Sequence, residues 1–120
     1  MKNILIIESE SIIALSLSNF LSKLGYTVTR GYPDSKHTID CVKQNQFDLI
    51  IINIKMQNGL DRIETVGKIR DFSQTPVIYL TGETDRTTLD RAKRTNPVNI
   101  ISKPFNYTQL GNVIEQCWAG

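Results

Sequence analysis

Four short apolar runs, each stopped abruptly by a polar residue, constrain this chain more than any other feature. Leu49-Ile50-Ile51-Ile52 follows Asp48 and ends in Asn53, and Ile4-Leu5-Ile6-Ile7 ends in Glu8. Val77-Ile78-Tyr79-Leu80 ends in Thr81, and Ile100-Ile101 runs through Ser102 to Lys103. A continuous apolar run of this length reads as a strand covered on both faces, since a strand with one wet face would alternate. If the strands are parallel, Glu8, Asn53, Thr81 and Lys103 emerge at one carboxyl edge of one sheet. Open α/β sheets place their binding crevice at that edge. Asn53 is expected where its strand leaves the core and meets water.

The intervening segments have helical spacing. The first strand, Asn3 to Glu8, is followed by a helix over about 11–24, with Ile13, Leu17, Phe20, Leu21 and Leu24 as its apolar stripe. Gly25 suits a left-handed cap, and 26–30 alternates as an edge strand would. Gly31 and Pro33 make a turn. Asp34 or Ser35 can cap a second helix to about Asn45, with Ile39 and Val42 inward. After the central strand, 48–53, the polar loop 55–59 contains the turn pair Asn58-Gly59. A third helix over 61–71 carries Ile63, Val66 and either Ile69 or Arg70 inward. Thr75-Pro76 opens the fourth strand. A helix over 85–94 offers only Leu89 and Ala92 to a core and should be the least firmly packed element. Pro97 precedes the fifth strand. Asn106 and Gln109 resemble a capping box before a last helix with Tyr107, Leu110, Ile114 and Cys117 on one stripe. Five strands alternating with five helices predict an α/β sandwich of three layers, a parallel sheet covered on both faces by right-handed crossovers.

Size and charge narrow the function. The 120 residues suit one domain, taken as 1–120, and hydrophobic content is 40%. No apolar run approaches the roughly 18 residues of a membrane span, and the strand-like start does not suit a signal peptide. A formal charge of +2 is too small to imply nucleic acid. Cys41 and Cys117 are far apart and read as reduced thiols, which points to the cytoplasm.

The ordered segments ILIIESE (4–10), LGYTV (24–28), DLIIINIKM (48–56), IETVGKIR (63–70), TPVIYLTG (75–82) and KPF (103–105) cover nearly every element. At this spacing the chain resembles the receiver domain of two-component response regulators. The resemblance implies a flavodoxin-like (βα)5 fold with strand order 2-1-3-4-5 and a cis Lys103-Pro104 bond. It also implies a phosphoacceptor aspartate at the end of the third strand, where this chain has Asn53. A neutral amide oxygen is not a nucleophile toward phosphorus, so no aspartyl phosphate is expected. Two acidic residues after the first strand would hold magnesium. Here Glu8 is followed by Ser9, which falls on the direct-ligand position.

With Glu8 and Lys103 as its remaining charges the pocket would be near neutral. Magnesium depends on carboxylates and dehydrates reluctantly, so binding should be weak or absent; the residual candidates are Glu8, Asn53 and the Lys55 backbone. No cofactor is expected. Thr81 matches the hydroxyl residue that follows the phosphoryl group, and Lys103 matches the lysine that pairs with it. Ile100 replaces the usual aromatic, and Arg62 replaces the usual glycine at the start of the third helix.

Plainer roles stand beside these. Asn53 can simply hydrogen-bond Lys103, and Glu8 can pair with Lys103 at the sheet edge. Thr81 can cap a turn, and Ser9 lacks a base that would make it an acceptor. An engineered change at Asn53 alone would leave Ser9, Arg62 and Ile100 unexplained. His37 and the cluster Arg86, Arg91, Lys93 and Arg94 read as solvated faces. Trp118 either packs back or meets a neighbour. The expectation is a non-enzymatic, receiver-like module of a two-component phosphorelay, not phosphorylated at the usual site and working by protein contact. Its partner would be a sensor histidine kinase or a fused output domain, with a homodimer through the fourth helix, fifth strand and fifth helix as a further arrangement. The alternative is a phosphorylatable receiver with atypical or engineered site residues. A small enzyme or nucleotide binder ranks last, for want of a Gly-rich phosphate loop or a nucleophile–base pair.

Overall fold

A computed structural model describes residues 1–31, 34–54, 59–82 and 85–119. Five strands, β1 (Asn3–Ile7), β2 (Thr27–Arg30), β3 (Leu49–Ile54), β4 (Val77–Thr81) and β5 (Asn99–Ser102), alternate with α1 (Ser11–Lys23), α2 (Ser35–Gln44), α3 (Gly59–Ile69), α4 (Arg86–Lys93) and α5 (Tyr107–Trp118). The strands form one parallel sheet in the order β2-β1-β3-β4-β5. This is the flavodoxin-like arrangement, with β3 at its centre.

Each strand feeds two cores because its successive side chains point to opposite faces. Ile4, Ile6, Leu49, Ile51, Ile78 and Leu80 pack with Leu17, Leu21, Leu110 and Ile114 of α1 and α5. Leu5, Ile7, Ile50, Ile52, Ile54, Val77 and Tyr79 pack with Val42, Ile63, Val66, Ile69 and Ala92 of α2, α3 and α4. All six residues of β3 are buried. Each fully buried isoleucine contributes about 1.5–3 kcal/mol, so the continuous apolar run specifies the middle of the sheet. The exposed, alternating β2 forms one edge.

Several details differ from the sequence expectations. β3 extends one residue further, to Ile54, so Asn53 lies inside the strand and is 2% exposed instead of meeting water. Leu24 leaves the α1 stripe and is half exposed, because the helix ends at Lys23 and Gly25 turns the chain with φ 94°. In α2 the polar Thr38 is buried; its hydroxyl donates to the Asp34 carbonyl at 2.9 Å. Ile69 is the α3 core residue. Arg70 instead reaches out, with Nε donating to the Thr95 carbonyl at 2.8 Å and Nη1 to the Thr75 carbonyl at 2.7 Å.

Other expectations about caps and packing are met. Asp34, Asp85 and Asn106 cap α2, α4 and α5 through the backbone N–H three residues on. Ala92 is the one fully buried residue of α4. The Lys103-Pro104 peptide is cis. Trp118 packs back, its Nε1–H donating to the Tyr26 hydroxyl at 3.1 Å with the Lys2 ammonium 5.0 Å from its ring. Cys41 and Cys117 are free thiols, and burial pushes the Cys117 thiol up. The turn at Pro33 and the loop 55–58, with the Lys55 backbone, lie outside the described residues. No helix among the described residues is long and apolar enough to cross a membrane.

Candidate functional site

The carboxyl edge of the sheet gathers the polar residues that end the apolar runs. Register explains how. Ile7, the last residue of β1, pairs with Ile52. Glu8 therefore projects just past β1, beside Asn53. On the other side Asn53 pairs with Leu80, and Ile54 pairs with Thr81. Thr81 is fully buried, and its carbonyl accepts the Lys103 N–H at 2.8 Å, which ties the segment after β5 to the end of β4.

Asn53 joins the charged residues. Its Nδ2 donates to Glu8 Oε2, and its Oδ1 accepts from Lys103 Nζ at 2.9 Å. This network fixes the orientation of the amide, because only the NH2 end can face a carboxylate and only the oxygen can face an ammonium. An aspartate at this position would set two carboxylates in contact. An asparagine gives each neighbour the group it needs. Of the two plain roles, Asn53 bonding Lys103 is present. The expected Glu8–Lys103 ion pair is not found among the described residues, since the amide stands between the two charges.

Arg62, in the first turn of α3, is part of this site. It is 5% exposed, and its Nη1 donates to the backbone carbonyl of Asn53. Burial lowers its guanidinium from the usual range while the charge of Glu8 raises it. A buried cation costs several kcal/mol unless an anion and hydrogen bonds offset the loss of water; the charge of Glu8 and the bond to the end of β3 offset part of it, while Arg62 Nε is buried without a hydrogen-bond partner. Arg62 joins Glu8 and Lys103 here, so that among the described residues of the pocket one anion faces two cations.

The described residues of this edge do not fit a divalent ion. Among them there is no cluster of three metal-ligating side chains, and Glu8 is the one carboxylate bonded into the network. The Asn53 oxygen is already taken by an ammonium, and a guanidinium lies within the field of Glu8. Ser9 and Glu10 are exposed, and the Glu10 carbonyl accepts the Ala14 N–H at 2.9 Å at the start of α1. Ile100 pairs with Tyr79 in register and packs, partly buried, on the core beneath α2, α3 and α4.

Periodicity brought Glu8, Asn53, Thr81 and Lys103 to one edge correctly, but Arg62 was marked only by the resemblance, as a departure from a glycine. A signal was present. The first turn of a helix carries positive partial charge and disfavours cations. An arginine there, at the start of the helix that follows a buried strand, calls for an anion in reach.

The family model for the response regulator receiver domain matches residues 4–115. Among curated relatives, transcriptional regulatory protein PdtaR of Mycobacterium tuberculosis is 26% identical over 114 residues, covering 95% of this chain and 55% of that protein. Transcriptional regulatory protein YvrH of Bacillus subtilis is 29% identical over 108 residues, covering 90% and 45%. The chain thus spans about half the length of these relatives. A crystal structure of a two-component response regulator from Clostridium difficile superposes with a TM-score of 0.87 at 24% identity, covering 98% of this chain and 96% of that one.

Proposed function

This chain belongs to the response regulator receiver domain family of two-component signalling, and on that premise we propose that it is a receiver module that signals by protein contact without being phosphorylated at the usual position. One observation carries the reading. The end of β3 presents a neutral amide, bonded to Glu8 on one side and Lys103 on the other. An amide held this way offers phosphorus no anionic nucleophile. With two cations and one carboxylate in the network among the described residues, the metal-assisted electrostatics of phosphoryl transfer lack support as well.

The partner is proposed to be a sensor histidine kinase, in keeping with the two-component family, or an output domain of the same protein, in keeping with the relatives named as transcriptional regulatory proteins. The contact face would be α4, β5 and α5, through which two copies could also meet. Cytoplasmic action and the absence of enzymatic activity belong to the same proposal.

The experiment is incubation of the chain with magnesium and either a cognate kinase or a small-molecule phosphoryl donor, read by intact mass. No mass gain is expected. Metal-dependent uptake of a base-labile, acid-resistant phosphate would falsify the reading in favour of a phosphorylatable receiver with atypical residues.

A further inference from the structure

We propose that Arg62 is the resident cation of this pocket, its guanidinium supplying between Glu8 and the end of β3 the positive charge for which a receiver site would otherwise need a metal ion. The inference deepens the functional reading above and rests on its assignment of this edge as the receiver pocket.

Three observations converge on the guanidinium. First, Arg62 is 5% exposed although it sits in the first turn of α3, where the helix dipole opposes a cation. Something outside the helix must favour it there. Second, its Nη1–H donates to the Asn53 carbonyl at the end of the central strand, beyond the last residue of β1 that pairs with β3. That oxygen belongs to the same residue whose side chain binds both Glu8 and Lys103. Third, Glu8 is the charge that acts favourably on Arg62. A single anion therefore serves two demands, accepting from the Asn53 amide and balancing the buried arginine.

The consequence is a pocket assembled without metal. The first turn of α3, the end of β3 and Lys103 beyond β5 are joined through one residue, Asn53. The Coulomb repulsion of a guanidinium and an ammonium would oppose a divalent ion at this edge. An arginine whose side chain mattered only for packing or for its bond to the end of β3, with its charge balanced by Glu8, would have little bearing on metal affinity. That difference decides the test.

Asn53→Asp returns a second carboxylate to the pocket while leaving Arg62 in place. Mg2+ and Mn2+ would be added separately to the whole chain, with amide NMR shifts and Mn2+ line broadening around Glu8 and position 53 as readouts. The native chain and Asn53→Asp are expected to bind weakly. Asn53→Asp combined with Arg62→Ala should bind about tenfold tighter or more, because one full charge has left the site. Asn53→Asp with Arg62→Lys, which keeps the charge, should stay weak. Dispersed amide spectra establish that each variant is folded. If Asn53→Asp alone binds as tightly as its Arg62→Ala combination, or if the lysine variant binds as tightly as the alanine one, Arg62 does not hold the metal's place. Should the alanine combination fail to fold, Asn53→Asp still decides: submillimolar affinity with Arg62 present overturns the proposal, and weak affinity that the lysine variant shares sustains it. Phosphate uptake by the native chain is a separate measurement, so the functional reading can fail while this one stands.

Discussion

At the residue scale the site turns on which groups can face one another when their neighbours are buried. The charge of Glu8 favours the buried Arg62 guanidinium across the end of β3. Arg62→Met should lower stability by about 1–3 kcal/mol, since it removes a charge that favours half-buried Glu8 and the hydrogen bond to the Asn53 carbonyl. Adding Glu8→Gln should restore part of the loss, with a coupling of about 0.5–3 kcal/mol in a double-mutant cycle measured by urea unfolding. Additive losses would mean that the two residues do not interact.

Tyr79 provides a second test, in alkali. Burial raises its hydroxyl to about 12, against smaller opposing effects of Thr95 and Arg70. A raised value in the folded state means that its contribution is complete below the unfolded value of 10.0 and is lost as pH climbs toward 12. That loss should reach about 2–3 kcal/mol. Tyr79→Phe should cost about 1 kcal/mol at neutral pH, where a hydrogen bond to Thr95 at 2.7 Å disappears. It should also flatten the alkaline limb of stability relative to the native chain. Parallel limbs in the two proteins would place the alkaline sensitivity elsewhere.

At the scale of elements, burial separates the central strand from the edge and α4 from its neighbours. Ile51 is 1% exposed in β3, so Ile51→Ala should destabilise by about 2–5 kcal/mol. Val28→Ala in the exposed edge strand β2 should cost well under half of that, in the same chemical denaturation. Helix α4 buries Ala92 alone, and its first turn depends on the Asp85 cap of the Thr88 N–H at 3.0 Å. Its amides should exchange with solvent faster than those of α5, which buries Leu110, Val113 and Ile114. Equal protection in α4 and α5 would contradict this ranking. Elements were legible in the sequence to within a residue or two because periodicity and caps are local. Misplaced residues were those whose fate depends on another element. Leu24 fits the α1 stripe by spacing but falls past the helix end, and Thr38 is polar yet buried because its hydroxyl bonds back to Asp34.

For the whole molecule, two cations facing one anion among the described pocket residues predict indifference to magnesium. A ligand stabilises a fold only as far as it binds the native state. Millimolar Mg2+ should therefore move the melting temperature by less than about 2 °C. A shift well beyond that, saturating with concentration, would reveal a metal site and overturn this expectation.

The sequence by itself determined the number and order of the elements, the buried centre at β3 and the gathering of Glu8, Asn53, Thr81 and Lys103 at one edge, because each follows from runs and spacings a few residues long. Only the tertiary structure decided what those residues do to one another. Glu8 and Asn53 lie 45 positions apart, Asn53 and Lys103 lie 50 apart, and their hydrogen bonds exist because β1, β3, β4 and β5 all end along one edge of the sheet. The depth of Asn53 and the inward reach of Arg62 depend likewise on where α3 lands on the sheet. Charge and hydrogen-bond balance is a property of the assembled pocket, and an inspection of single residues left Arg62 out of it.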